Sequence, residues 1–404
     1  MKYSFPVLKM NERKSCLLAR IFLIIIFYSL FTVLFCRQAW EYNGRYWSDL
    51  PYHIRFGIEG GDYSFLYFII GFIWRLFGLY SPIALFESSL IVGAFLLSEW
   101  YIRKYLDIRD IWATWISAGA VFLCSIYIPV LYPYCYSWSL ITQPWHNITY
   151  LGMRLFSIPV FFHTLQIIER YRERFTFKDW LCLAIPLLLG ASVKPNFMSG
   201  YSFALLCVLI VDFLSDFIKK ELKVLSFSRY IFLGSTVFPA VIVLFYQMYI
   251  LYGTKNGISS DSGMTIIFLT SQIFSQGIIK MVIEIVRDIA FPLLVTVYGC
   301  KGISKKERFI WLLFLITFIQ SVTLSETGPR AGDGNFIWGI YNAGYLVFIY
   351  MTPKFIRLVQ MTPWKQKNLR EKCFTLAGSS LLCAHLLSGI FYFLWILCGN
   401  IYYI

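Results

Sequence analysis

Apolar residues in this chain fall in long unbroken runs. The first spans 18–36 and carries a single charged side chain, Arg20. Further runs lie at 63–79, 82–102, 111–133, 148–168, 180–193, 198–217, 230–251, 289–300, 309–324, 336–351 and 373–397. A helix of about twenty apolar residues spans the hydrocarbon core of a bilayer. A membrane β-barrel would alternate apolar with polar positions, and these runs do not. The pattern predicts an all-α polytopic membrane protein. No stretch between runs is long enough for a soluble domain, so residues 1–404 read as a single integral membrane domain.

Composition agrees: 58% of residues are hydrophobic and only 14% charged, well outside the range of soluble globules. The net charge of +14 raises nucleic-acid binding, but the positions of the charges point to topology instead. Lys and Arg gather in six clusters, at 2–20, 103–109, 170–178, 219–229, 301–308 and 354–372. The positive-inside rule puts all six in the cytoplasm. Threading helices between them gives about eleven spans, with twelve as the alternative. The N-terminus is then cytoplasmic, with residues 1–17 as a tail, and the C-terminus is outside. The start of the chain resembles a signal peptide, but no small-residue cleavage site follows the first apolar run. An uncleaved first helix is therefore expected.

One region resists simple threading. Two spans within 63–102 would move Arg103, Lys104 and Arg109 outside and invert everything after them. The stretch 63–79 is short and carries Arg75, so it is expected to lie in the interface or dip into the bilayer. Residues 37–81 then form an outer loop with interfacial helices. A second outer loop, 252–288, is expected to hold an amphipathic interfacial helix over 265–288. The ten cysteines show no metal-ligand spacing and several sit in apolar runs, where Cys behaves as a small hydrophobe.

The chemistry collects outside. "WSDLPYHIRF" supplies Asp49, His53 and Arg55, and "QPWHNITY" supplies His146 and Asn147, with Arg154 a turn or so into the next span. "SVKPN" adds Lys194 and Asn196, and "SETGPRAGDGN" adds Glu326, Arg330, Asp333 and Asn335. Charge near a bilayer is costly and marks a site or a pathway. Each residue also has a plainer reading. Asp49 in "SDLP" fits a helix N-cap, with Pro51 in the first turn. Near Trp47, Tyr52 and Phe56 its pKa would instead rise, as for a general base. His53 reads equally as a surface histidine. Arg154 either snorkels to lipid or binds a substrate phosphate. Lys194 can simply end its helix, and Arg330 can pair with Glu326 or Asp333. Asn147 heads an N-x-T sequon but abuts a span. No HExxH, GxSxG, P-loop or outer Asp-x-Asp motif is present, so no metal or cofactor is expected.

Three segments carry a resemblance. "SDLPYHIRF" followed by "YSFLYFIIGFIWRLFGLYSP" is similar to a D-x-x-x-H … P-L-Y … L-F-G pattern. "QPWHNITYLGMRLF" resembles a W-H-N-P-T segment, with Ile148 where the proline would stand. "ETGPR" and "GNFIWG" resemble a late outer loop. All three patterns occur in bacterial multi-span proteins of polysaccharide and cell-wall synthesis. With the overall arrangement, they resemble the GT-C class of membrane glycosyltransferases.

The resemblance implies a bacterial plasma-membrane enzyme that moves a sugar from a polyprenyl-phosphate donor to an acceptor glycan or protein, with inversion and without a metal. It implies Asp49 and His53 as catalytic residues. It implies Arg55, His146, Asn147, Arg154, Lys194, Glu326, Arg330 and Asn335 as substrate-binding residues. The partners are then membrane lipid and lipid-linked sugar, not nucleic acid. Three alternatives stay open: a repeat-unit polymerase, a lipid-linked-sugar flippase or transporter, and a non-catalytic assembly protein.

Overall fold

A computed structural model describes residues 10–40, 48–60, 63–130, 140–220, 224–253, 263–266, 278–299, 302–328 and 334–399. These residues are almost entirely helical. The helices are α1 (Met10–Trp40), α2 (Leu50–Glu59), α3 (Phe65–Phe77), α4 (Tyr80–Tyr105), α5 (Asp110–Val121), α6 (Ile148–Ile167), α7 (Phe177–Val193) and α8 (Asn196–Ile218). They continue with α9 (Val224–Gly234), α10 (Phe238–Met248), α11 (Ile278–Tyr298), α12 (Lys305–Thr323), α13 (Trp338–Gln360) and α14 (Leu369–Leu397). One two-stranded antiparallel ribbon pairs β1 (Met264–Ile266) with β2 (Leu324–Glu326).

Six helical stretches among the described residues are long and apolar enough to cross a membrane: Lys14–Trp40, Tyr80–Tyr105, Ile148–Ile167, Asn196–Ile218, Phe227–Leu251 and Leu369–Leu397. The fifth joins α9 to α10 through a 3-10 turn at Ser235–Val237. Helix α13 is the central post, buried on every face from Trp338 to Pro353.

The bundle has two chemically distinct ends. At one, the basic clusters meet acids. Arg20 pairs with Glu99, Arg170 with Asp179, Arg172 with Asp212 and Asp216, Lys305 with Asp212, Lys306 with Glu169, and Lys354 with Glu307. Helices α7, α12 and α14 start with capping boxes, Thr176–Asp179, Ser304–Glu307 and Asn368–Glu371, which satisfy their first free N–H groups. In the first two, the capping acid also takes one of those cations.

At the other end lie the C-termini of α1 and α14, joined by Arg37 Nη1 donating to Leu397 O at 2.9 Å. Both ends of α3 are here too. Ser64, just before it, donates to Val193 O at the end of α7. Tyr80, just after it, packs on Trp40 at the end of α1. At 1.5 Å per residue, a helix of this length reaches about 20 Å, short of a bilayer core. Its two ends lie at the same end of the bundle. Helices α2 and α3 cross where Gly57 faces Gly71; a Cβ on Gly71 would sit 2.1 Å from Gly57 O.

Two expected elements differ. The run 111–133 is not one helix, because α5 stops at Val121 and residues 123–128 are non-helical. The apolar run is equally compatible with a buried extended segment, and residues further along the chain satisfy its backbone. Gln143 Nε2 donates to Ala120 O and Leu123 O, at 3.1 and 2.7 Å. His385 Nδ1 lies 2.7 Å from Cys124 O, and Tyr127 N donates to Ser388 Oγ. Leu140 N donates to the fully buried Asp288. Irregular backbone at membrane depth is tolerated only when protein supplies such partners. The crossing is close: a Cβ on Gly389 would lie 1.4 Å from Phe122 O.

The second difference concerns 265–288. Residues 264–266 are strand, 267–277 lie outside the described residues, and 278–288 form the first half of the continuous helix α11. The charges there point inward: Glu284, Arg287 and Asp288 are all nearly or fully buried, and Arg287 pairs with Asp288. Among the described residues, Cys16, Cys36, Cys182, Cys207, Cys373, Cys383 and Cys398 are free thiols.

Candidate functional site

Four chain segments converge at the end opposite the ion pairs. The first is the start of α2. Asp49 occupies the N-cap position and Pro51 lies in the first turn, yet the Asp49 side chain makes no capping bond. Ser48 Oγ takes the Leu50 N–H instead, at 3.1 Å. This frees the Asp49 carboxylate to turn toward the second segment, the loop entering α6. Its Oδ2 accepts from Asn147 Nδ2 at 2.9 Å and lies 3.8 Å from His146 Nε2.

Asn147 works on both sides. Its Oδ1 caps α6 by accepting from Tyr150 N at 3.0 Å, and also accepts from Thr149 Oγ1 at 2.7 Å. The third segment, α7 to α8, supplies Lys194. Its Nζ donates to Thr149 Oγ1 at 3.3 Å and stands 4.5 Å from the Trp338 ring. Lys194 does end α7, as its C-cap, and its ammonium is nonetheless delivered to this cluster.

The fourth segment is the approach to α13. Asn335 Nδ2 donates to Glu326 Oε2, and Asn335 O accepts from Asn196 Nδ2 at 2.5 Å. Trp338, one turn later, touches the rings of His146, Tyr150 and Tyr341.

His53 sits one turn along α2 from Asp49, 6% exposed, its ring stacked on Tyr67 at 5.1 Å. Neither ring nitrogen has a partner among the described residues. Burial pushes His53 and His146 down to about 4, against the opposing pull of Asp49. Both imidazoles are therefore neutral at neutral pH.

For Asp49, burial alone would raise the pKa, as the aromatic surroundings suggested. His146, His53, the Asn147 amide and Lys194 outweigh burial and hold it below its ordinary value. The carboxylate is thus ionised, and with a third of its side chain exposed it remains reachable.

Arg154 neither snorkels nor faces an open site. It is 5% exposed, lies between the rings of Tyr150 and Tyr345, and donates to Gln143 Oε1 and Tyr150 OH. Arg55 does not join the cluster. It is exposed on the far side of α2 and pairs with Glu59 four residues on. Arg330 and Asp333 lie outside the described residues.

Among the described residues, no group of His, Cys, Asp and Glu is arranged to hold a metal. Around Asp49 the described residues gather its ionised carboxylate, the Lys194 ammonium, two neutral imidazoles and amide donors. That set can accept a proton from a hydroxyl and stabilise an anion beside it. Trp338, Tyr150, Tyr345 and Tyr67 were not singled out by the sequence. The only available signal was the spacing of Trp338, Tyr341 and Tyr345, which puts them along one face of a helix.

The chain matches no protein-family model, and a comparison with curated proteins finds no match.

Proposed function

We propose that this protein is a membrane glycosyltransferase that takes a sugar from a polyprenyl-phosphate donor at the extracytoplasmic face. In this reading the chain threads a bacterial plasma membrane about eleven times, N-terminus inside and C-terminus outside. Helices α2 and α3 lie in the outer interface. The observation that carries the reading is Asp49, an ionised and reachable carboxylate held by Asn147 with Lys194 close by. Asp49 would take the proton of an acceptor hydroxyl as that oxygen attacks the anomeric carbon. The carbon–oxygen bond to the lipid phosphate breaks, and the phosphate leaves toward the Lys194 ammonium. Trp338 and Thr149 hold that ammonium in place.

A transfer assay in native membranes with polyprenyl-phosphate sugars tests this. The wild type should form product and Asp49→Asn should not. Equal rates in the two would remove Asp49 from catalysis and the reading with it.

One observation favours a second reading, a lipid-linked-sugar transporter. Glu87 lies within the Tyr80–Tyr105 span, fully buried, with neither oxygen bonded among the described residues. An ionisable group in that position marks a translocation pathway. Loss of lipid flipping in Glu87→Gln vesicles, with no transfer activity in the wild type, would decide for it.

A further inference from the structure

The half of the bundle away from Asp49 holds a second concavity. A groove of about 170 Å³ lies between α5, α13 and α14. Its α13 wall, Ile349 to Ile356, begins about three turns past Trp338 and ends about five turns past it. Ala120, Ile349 and Thr352 in its floor are almost fully buried, while Trp112 and Trp115 on its rim are 37% and 51% exposed. The space exists because α5 presents Gly119 and Ala120 toward α14. A Cβ on Gly119 would already stand 3.2 Å from Leu386 Cδ2.

The shape of the groove limits its guest. From Trp112 to Ala120 it follows α5 for about 12 Å. That volume over that length leaves room for one narrow chain. A helix, about 10 Å across, does not enter it. The lining is almost wholly apolar, and an apolar cavity of about 150 Å³ stays dry. Left empty, it forfeits the dispersion contacts of its walls. Helix α14 is one of the stretches long and apolar enough to cross a membrane, so what surrounds the rim in a bilayer is acyl chain.

The charge beside the groove selects among lipids. Residues 354–372, which join α13 to α14, hold six Lys or Arg and one acid, Glu371, which is committed to the α14 capping box. Lys354 pairs with Glu307, and Lys367 donates to Val359 O at 2.7 Å. Arg357, the residue after the lining Ile356, and Lys365 are exposed. Lys and Arg at a membrane surface attract anionic headgroups.

We propose that this groove binds one acyl chain of an anionic phospholipid, whose headgroup meets Arg357 and Lys365. The lipid belongs to the leaflet at the ion-paired end of the bundle. Its site does not depend on the transferase reading. In effect the chain completes the packing of α5 against α13 and α14, where α5 is short and its face is bare.

Native mass spectrometry of the detergent-purified protein, titrated with dioleoyl phosphatidylglycerol or dioleoyl phosphatidylcholine, tests this. The expected result is one phosphatidylglycerol retained per chain, at a concentration about tenfold below that needed for phosphatidylcholine. Leu382→Trp fills the groove from a half-buried position on α14. It should abolish retention and leave the unfolding temperature in lipid-free detergent near wild type. The double variant Arg357→Gln, Lys365→Gln changes only exposed side chains and is the second arm. It should keep a bound lipid and lose the preference for phosphatidylglycerol. Retention of phosphatidylglycerol by Leu382→Trp at the wild-type level would overturn the proposal. So would equal retention of the two lipids by the wild type. A dimer that Leu382→Trp splits would put a second copy of the chain in the groove and overturn it as well.

Discussion

Asn147 donates to Asp49 Oδ2 at 2.9 Å while its own carbonyl oxygen caps α6. One amide thus fixes the start of a buried helix and the direction of the Asp49 carboxylate. The two jobs are separable by substitution. Asn147→Ser retains a good N-cap but cannot reach Asp49, so it should leave the unfolding temperature near wild type and lower transfer activity. Asn147→Ala should lose both, with a stability cost of about 1 kcal/mol. Thermal unfolding beside the membrane transfer assay separates the outcomes.

Stability should depend on pH in a defined window. His53 and His146 titrate near 4 in the fold and near 6.5 when unfolded. Between these values the unfolded chain binds more protons, so stability is full above 6.5 and falls as pH drops toward 4. The loss is on the order of 3 kcal/mol for each buried imidazole. Asp49 shifts downward, so its contribution persists above its unfolded value and is lost only at lower pH. Unfolding curves from pH 7 to 4 for the wild type and His53→Phe check this; the variant should show the shallower decline.

Gln143 joins the broken end of α5 to Arg154 through three contacts. Gln143→Leu strands the Leu123 carbonyl and part of a guanidinium, and removes one of the donors to Ala120 O. Each orphaned group costs about 1–3 kcal/mol, so the variant should unfold well below wild type in detergent. A wild-type unfolding temperature for Gln143→Leu would show that these bonds do not hold the segment.

Gly71→Ala should part α2 from α3, because its Cβ would meet Gly57 O at 2.1 Å. The expected result is lost transfer activity with the spans still inserted. Gly190→Ala is the control, since its Cβ would make an ordinary contact with Phe156 at 3.5 Å. Activity and protease accessibility of the first loop report on the two variants.

Cysteine labelling tests the threading. In a cysteine-free background, a cysteine at position 80 should react with an impermeant reagent from outside, and one at position 103 only after permeabilisation. Labelling of position 103 from outside would place the basic clusters on the wrong side.

Much of this was legible in the chain, and the remainder has physical reasons for being hidden. Charge position separated the two ends of the bundle, because Lys and Arg sort by side. The shortness of the 63–79 run agrees with the 13-residue length of α3. The break after Val121 was invisible. An apolar run reads alike as helix or as buried extended chain, and the groups that satisfy it come from Gln143, His385 and Ser388.

In the site, the "SDLP" motif left Asp49 poised between cap and base. What decided its orientation was Ser48 taking the Leu50 N–H. Arg55 and Arg154 are the same residue type, but only Arg55 has an acid four places on to hold it outward. Trp338 carried no signal of its own, since one more aromatic in an apolar run looks like packing.

The segment after α5 also bears on how the protein is made. The carbonyl of Cys124 finds His385 only 261 residues later in the chain, and Tyr127 N must wait the same distance for Ser388. When the first half leaves the ribosome these backbone groups have no partner, and lipid cannot supply one. The expected outcome is that the segment packs only once α14 has been synthesised, although Ile141 and Gln143 already meet Ser125 N and Leu123 O. A chain truncated before α14 should leave it unintegrated and open to quality-control proteolysis, however apolar its sequence.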